Sequence, residues 1–386
     1  MKVKAQPNSN PRRIALVLQG GGALGAYQAG VYQAMHEHEL TPDWIVGTSI
    51  GAINAAIIAG NPGAIRLDRL KEFWHTVSSQ DMVDMAKVPD TTRQFSTWLS
   101  TVSVMWKGVP GFFAPRFPNL FAAGMPVPSE AASFYDTSSL AGTLEKLVDF
   151  EYLNAPGGIR LTVNAMKVTD GKLASFDSRL HGLNVHHIMA SGALPPGFPP
   201  VRIDGDLYWD GGLYSNTPLE TVLDDEPRND TLCFMVDLWN GEGPEPHTLD
   251  QVQTRQKDVM YASRSQRHIE NYLRMHNLRR IVRAMHEKLP PALHDEAELR
   301  DFASVGCDTT MHIVRLAYAG RDWNMASKDI NFSKGSTEWR WEQGYRDASR
   351  AIERDAWSIA VPDHSGVIVH ELELDAKTAD RRTRQK

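Results

Sequence analysis

From Ile14 to Leu18 every side chain is apolar, and the run closes on Gln19. A stretch this short and this apolar suits a strand buried on both faces of a parallel sheet. Glycines follow, then AYQAGVYQAMHEH, in which Ala26, Ala29, Val31 and Met35 fit a helix better than a strand. Thr41-Pro42 breaks the chain. A second apolar stretch, Trp44 to Val46, leads through Gly47-Thr48-Ser49-Ile50-Gly51 into the helical run AINAAIIA, which Gly60-Asn61-Pro62-Gly63 should stop. Strand–turn–helix thus occurs twice between Ile14 and Ala59, which predicts an α/β sheet with crossover helices. The uncharged stretches Ile14–Met35 and Trp44–Ile65 are each long enough for a membrane span. Glycines interrupt both, so they read as buried strand–turn–helix units.

Later segments extend this pattern. SSLAGTLEKLVDF should be a helix capped by Asp136 or Thr137. IRLTVNAMKV and KLASFDS flank Thr169-Asp170-Gly171, a hairpin signature, and VRID and LYWD flank Asp204-Gly205-Asp206. TLCFMVDLW reads as another buried strand. Gln251 to Leu289 reads as a helix, with Leu278, Ile281, Val282, Met285 and Leu289 at three-and-four spacing. His312 to Ala319 reads as one more strand, and a terminal helix is expected around Ser336 to Ile352. The polar, basic last ten residues read as disordered.

Residues 75–135 break the regular pattern. They are rich in aromatics and proline, with weak periodicity. One reading is a packed satellite cluster; the other is a lid or apolar channel whose wall would be Trp106, Phe112, Phe113 and Phe117.

Composition narrows the class. The 386 residues are 42% hydrophobic and 23% charged, as in ordinary globular chains, which excludes collagenous and disordered classes. The net charge of −6 gives no basic footprint for nucleic acid. The two cysteines, Cys233 and Cys307, supply no disulfide framework or Cys-rich zinc site, and fit a reducing compartment. The polar start MKVKAQPNSNPRR has no apolar core of a secretory signal, so the expected location is cytoplasmic, with peripheral membrane contact as an addition. That addition comes from Gln251–Leu289, where nine Lys/Arg stand against three Asp/Glu. Such a helix is either a solvated face or a surface for anionic lipid.

Gly47-x-Ser49-x-Gly51 lies between a predicted strand and a predicted helix, the context that gives a G-x-S-x-G match meaning. Gly20, Gly22 and Gly25 also form G-x-G-x-x-G after a strand, so a dinucleotide site is a rival. That site needs an acidic residue at the C-terminal end of the next strand, and Asp43 precedes that strand. The other use of the loop is as an oxyanion hole, its backbone N–H groups aimed at a developing alkoxide. A serine nucleophile needs a base. Asp210, at the end of LYWD and before Gly211-Gly212, is a candidate, although Asp-Gly-Gly alone is usually a turn. None of the 14 histidines carries a triad motif; His186-His187 looks like a helix start, and His75 and His181 have no supporting pattern.

Taken together, four blocks resemble the patatin-like phospholipases, in the family's order and spacing: Leu18–Val31, Gly47–Ala56, Ala190–Val201 and Asp210–Leu219. The resemblance covers roughly residues 12 to 240. It implies Ser49 as nucleophile, Asp210 as its base, and Gly20, Gly21, Gly22 and Gly25 as the oxyanion loop. It also implies a patatin-like fold: α/β, related to the α/β-hydrolases, with a central mostly parallel sheet flanked by helices. Many members have Arg or Lys where this chain has Leu24, a departure that weighs toward neutral esters and against strongly anionic head groups.

The expectation is therefore a serine acyl hydrolase of lipid or other apolar carboxylic esters, working through a Ser–Asp dyad and an acyl-enzyme without metal or organic cofactor. An acyltransferase or a polyester-oligomer hydrolase would use the same groups, and a non-catalytic lipid-binding protein could keep the same fold. Residues 1–245 are expected to form the catalytic core. Residues 246–386 should form a mostly helical extension, packed on the core and adding a strand near 312–319. The sequence does not fix the oligomeric state.

Overall fold

The computed structural model describes residues 12–78, 104–117, 124–294, 296–320, 326–358 and 365–372. The rest of the aromatic stretch and the last ten residues lie outside these. Nine strands form one sheet in the order β11-β10-β9-β1-β2-β5-β8-β7, with β6 also pairing with β5. The strands are β1 (Arg13–Leu18), β2 (Trp44–Gly47), β5 (Arg160–Lys167), β6 (Leu173–Asp177), β7 (Val201–Ile203), β8 (Asp206–Asp210), β9 (Thr231–Asp237), β10 (Met311–Ala317) and β11 (Val367–Glu371). A separate two-residue ribbon joins β3 (Ala114–Pro115) to β4 (Tyr135–Asp136). The run from β11 to β5 is parallel, while β6, β7 and β8 pair antiparallel through the two hairpins.

The apolar runs became the central strands because both faces are covered. Ala15 and Val17 pack on one side, with Trp44, Val46 and Met235, and Leu16 and Leu18 on the other, with Ile45 and Phe234. The helix Ala26–Glu37 follows β1 and the helix Ile50–Ala59, buried all round, follows β2. The helix stops after Ala59, at the expected Gly60-Asn61-Pro62-Gly63. Gly60 has φ −83°, and the Asn61 amide caps the Ile57 carbonyl at 2.8 Å. The helix Ser138–Leu147 is capped by the Asp136 carboxylate on the Ser138 N–H (2.8 Å), and Thr137 makes no side-chain cap.

The expected single added strand is two. β10 continues the sheet beside β9, and β11, which the sequence reading did not anticipate, pairs in parallel with β10. The long helix Leu249–Glu287 starts beyond the C-terminal end of β9 and runs to the other end of the strands. There its Arg279 carbonyl accepts from Cys307 N–H, and Asn277 accepts from Gly366 N–H, just before β10 and β11 begin. The helix Lys334–Arg354 lies against Ala26–Glu37, with Gly30 and Gly344 at the crossing and Tyr27 Oη donating to Asp347 at 3.0 Å.

Several of the basic side chains of the long helix are used inside the molecule. Arg255 donates to the Asn240 and Gly241 carbonyls and Lys257 pairs with Asp329. Arg280 holds the Asp308 and Thr309 carbonyls. Among the described residues no helix is long and apolar enough to cross a membrane.

Candidate active site

Parallel strands β1, β2 and β9 bring Gly20–Gly25, Ser49 and Trp239 to one end of the sheet. Ser49 has φ 58° and ψ −125°, a conformation that costs a non-glycine residue on the order of 1–3 kcal/mol and persists only where its surroundings enforce it. Here the small neighbours do so. A Cβ on Gly51 would stand 2.3 Å from the Leu18 carbonyl oxygen, and one on Gly47 would stand 2.5 Å from the Gly51 carbonyl oxygen. The elbow is thus pressed against the end of β1. The Ser49 N–H donates to Ser191 Oγ (3.1 Å), and that hydroxyl donates to the Asn164 carbonyl (2.7 Å).

Asp210 ends β8, which lies across β5 from β2. Its side chain is buried, lies beside Ser49, and accepts from Gly212 N–H at 2.7 Å. Burial pushes the carboxyl up to about 7; the nearby Ser49 hydroxyl and the Gly212 N–H pull in the other direction. A carboxyl poised there can take a proton near neutral pH. Among the described residues no histidine hydrogen-bonds to either group. His187 is occupied at a helix start, where its Nδ1 meets Asn184.

The four glycines of the first loop are not equivalent. Gly20 N–H is spent on the Asn216 carbonyl (3.1 Å). Gly25 is a packing position, where a Cβ would meet Ile50 at 2.5 Å. Among the described residues, the N–H groups of Gly21 and Gly22 have no protein acceptor, which leaves them for a ligand. Gly22 needs its φ of +55°, and the Asp329 carbonyl oxygen lies 2.2 Å from where its Cβ would be. Asp43, the acidic residue a dinucleotide site would need, caps the Ile14 N–H at the opposite end of the sheet (2.7 Å).

A buried polar network fixes these pieces. Gln19 receives the Trp239 N–H (3.0 Å) and donates to Thr217 (2.7 Å), while Asn216 Nδ2 and Trp239 Nε1 donate to the Gly20 carbonyl. Asn54 joins Gly25, Gln28 and Trp74. Sequence reasoning missed Ser191, Asn216, Gln19, Gln28 and Asn54. The last two could have been suspected as amides inside otherwise apolar helices. Tyr261, from the long helix, was also missed. Its ring packs on Trp239 (4.9 Å), and its hydroxyl is pushed up to about 12 by burial, with the charges of Asp210 and Asp329 adding to the shift.

The aromatic residues expected as a wall divide into two pairs. Phe112 and Phe113 are buried among Phe198, Tyr135 and Phe332. Trp106 and Phe117 are exposed. A shallow surface pocket lies elsewhere, at the opposite end of the strands beside Arg13, His276 and Met311, away from Ser49.

A mostly parallel α/β sheet whose strained serine elbow meets a buried carboxyl defines the class of the protein. Comparison with known sequences supplies the family. A model described as patatin-like phospholipase matches residues 16–223, more than half of the chain, and the chain belongs to that family. A second model, described as patatin phospholipase, matches residues 259–364. The chain is similar to the rat patatin-like phospholipase domain-containing protein 7, at 28% identity over 211 residues, 54% of this chain and 12% of that protein. It is also similar to lysophospholipase NTE1 of Candida glabrata, at 25% over 235 residues, 60% of this chain and 11% of that one. A triacylglycerol lipase of Arabidopsis thaliana, SDP1L, is 32% identical over 71 residues, 18% of this chain and 9% of that one. The chain thus spans 12% or less of the length of these relatives. Among solved structures, VipD from Legionella pneumophila superposes with a TM-score of 0.38 at 16% identity, covering 90% of this chain and 68% of that one.

Proposed function

We propose that the protein is a serine acyl hydrolase that cleaves carboxylic esters of lipids. The observation that carries the reading is the strained Ser49 beside a buried Asp210 whose carboxyl is pushed up to about 7. A fold kept only for binding lipid has no use for that strain. Ser49 Oγ attacks the ester carbonyl carbon while its proton passes to Asp210. The tetrahedral oxyanion accepts from Gly21 and Gly22 N–H, and the start of the helix Ile50–Ala59 adds a favourable field. Asp210 returns the proton to the leaving alkoxide, giving an acyl-enzyme. Water then attacks the acyl carbon, its proton passing to Asp210 and from there to Ser49 Oγ as the carboxylic acid leaves.

The relatives named for phospholipid and triacylglycerol cleavage support a lipid ester as substrate. An apolar tail enclosed by the protein would gain about 0.8 kcal/mol for each CH₂. A panel of p-nitrophenyl esters of rising chain length, lysophosphatidylcholine and triacylglycerol tests this reading, with Ser49→Ala as blank. Turnover by the wild type that rises with chain length and vanishes in the variant is expected. Turnover of none of these by the wild type contradicts it.

Contact with a membrane surface belongs to the same reading. The exposed Met275, Leu278, Met285, Phe302 and Val305 belong to the far part of the long helix and to the helix Ala297–Val305, at the end of the strands opposite Ser49. Leu249 and Val252, exposed in the first turns of the long helix, stand at the nucleophile's end and are the better anchors for a site that takes its substrate from a bilayer. Co-sedimentation with anionic vesicles that Leu249→Glu weakens supports that orientation; equal binding by the variant argues against it.

A further inference from the structure

We infer that the C-terminal part of the chain sets the conformation of the glycine-rich loop, with Arg340 as a positioning residue for the acyl-transfer reaction. The inference rests on the reading of Gly21 and Gly22 as oxyanion donors.

Those two N–H groups serve a developing oxyanion only if the peptides around them are held fixed, because donors that must reorient during the reaction lose most of their effect. The fixing groups come from far along the chain. Ala23, next to Gly22, is held on both sides of its backbone. Its N–H donates to the Asp329 carbonyl at 2.7 Å, and its carbonyl accepts from Arg340 Nη1 at 3.0 Å. The same guanidinium donates to the Asn331 carbonyl (2.9 Å) and the Lys328 carbonyl (2.9 Å). One planar fork therefore ties the loop to the segment 328–331. That segment is held in turn from the long helix, where Lys257 Nζ donates to both Asp329 carboxylate oxygens (2.8 and 3.0 Å) and to the Ala326 carbonyl (2.8 Å).

Two features set this apart from ordinary packing. Arg340 is wholly buried, and a cation is expensive to remove from water, so its retention behind a loop of free donors calls for a reason beyond filling space. The Asp329 carbonyl is also packed so tightly under Gly22 that the loop cannot settle inward without displacing the segment.

Arg340→Met, which keeps the bulk and removes the donors and charge, and Lys257→Met, which frees Asp329 from outside the loop, test the inference in the full chain. Three quantities are read for each: kcat and KM on a short p-nitrophenyl ester, affinity for an alkyl boronic acid that forms a tetrahedral anion on serine, and the thermal midpoint. Arg340→Met is expected to lower kcat by roughly 10- to 100-fold, with KM changed less than about threefold. Boronate affinity should fall in parallel. Lys257→Met should move both quantities in the same direction by a smaller factor, and it decides the matter if Arg340→Met does not fold. A wild-type enzyme that turns over ester, with variants that keep its kcat and boronate affinity, overturns the inference while leaving the proposed function standing. A wild type with neither ester turnover nor boronate binding overturns the proposed function instead.

Discussion

Replacing Asp210 by Asn should disable the protein and stabilise it at the same time. Burial holds the Asp210 carboxyl at about 7, against about 3.9 for an aspartate in an unfolded chain. Between those values the folded state binds this proton more tightly than the unfolded state. The slope of unfolding free energy with pH, proportional to protons bound unfolded minus folded, is therefore negative for this group. Its contribution is fully present below the unfolded pKa and is lost as pH rises through about 7. One proton gives about 1.4 kcal/mol per pH unit, so from about pH 5.5 to about pH 7 the wild type should lose about 2 kcal/mol that Asp210→Asn does not lose. Asn is close in shape, and its carbonyl oxygen can still accept from Gly212 N–H. Denaturant unfolding of both proteins at several pH values, taken as a difference, removes the other titrating groups. The variant should gain on the wild type as pH rises and level off above about pH 8, while ester turnover falls by about 10²- to 10⁴-fold. Parallel stability curves, or a wild type that gains on the variant, would mean that the carboxyl is held ionised by a neighbouring cation and that the mechanism without an imidazole is wrong.

The same carboxyl sets the pH profile: kcat/KM for a neutral ester should rise with pH through about 7 as Asp210 ionises, and a flat profile across that range would remove it as the base. Gly22→Ala places a Cβ against the Asp329 carbonyl at a φ of +55°, so it should lower kcat more than it raises KM and depress the thermal midpoint. Unchanged kinetics in that variant would show that the loop does not donate to the oxyanion.

The half of the sheet that can be read from the chain is the half made by local signals. β1, β2 and β9 are short apolar runs because they are covered on both faces, and the two hairpins are marked by Asp-Gly turns in which Gly171 and Gly205 take positive φ. The helix Arg66–Val77 was overlooked although Leu70, Phe73, Trp74 and Val77 carry its period, because the polar residues between them hide a narrow buried stripe. β11 has no comparable signal: five residues, partly exposed, acquire strand identity only from β10 beside them. Within the site, Ser49 and Asp210 stand out because elbow and strand-tip chemistry is written in their immediate neighbours. Ser191 meets Ser49 across 142 positions, and Arg340 meets Ala23 across 317. Such partners are set by tertiary approach, and no local spacing announces them.

The central claim is that Ser49 carries the acyl group. Rapid acid quenching of the protein with a slowly turned-over ester, followed by intact mass and peptide mapping, measures this directly. The acyl mass should appear on the peptide containing Ser49, rise to one equivalent, and be absent from Ser49→Ala. An acyl mass on another residue, or ester hydrolysis that continues undiminished in Ser49→Ala, would contradict it.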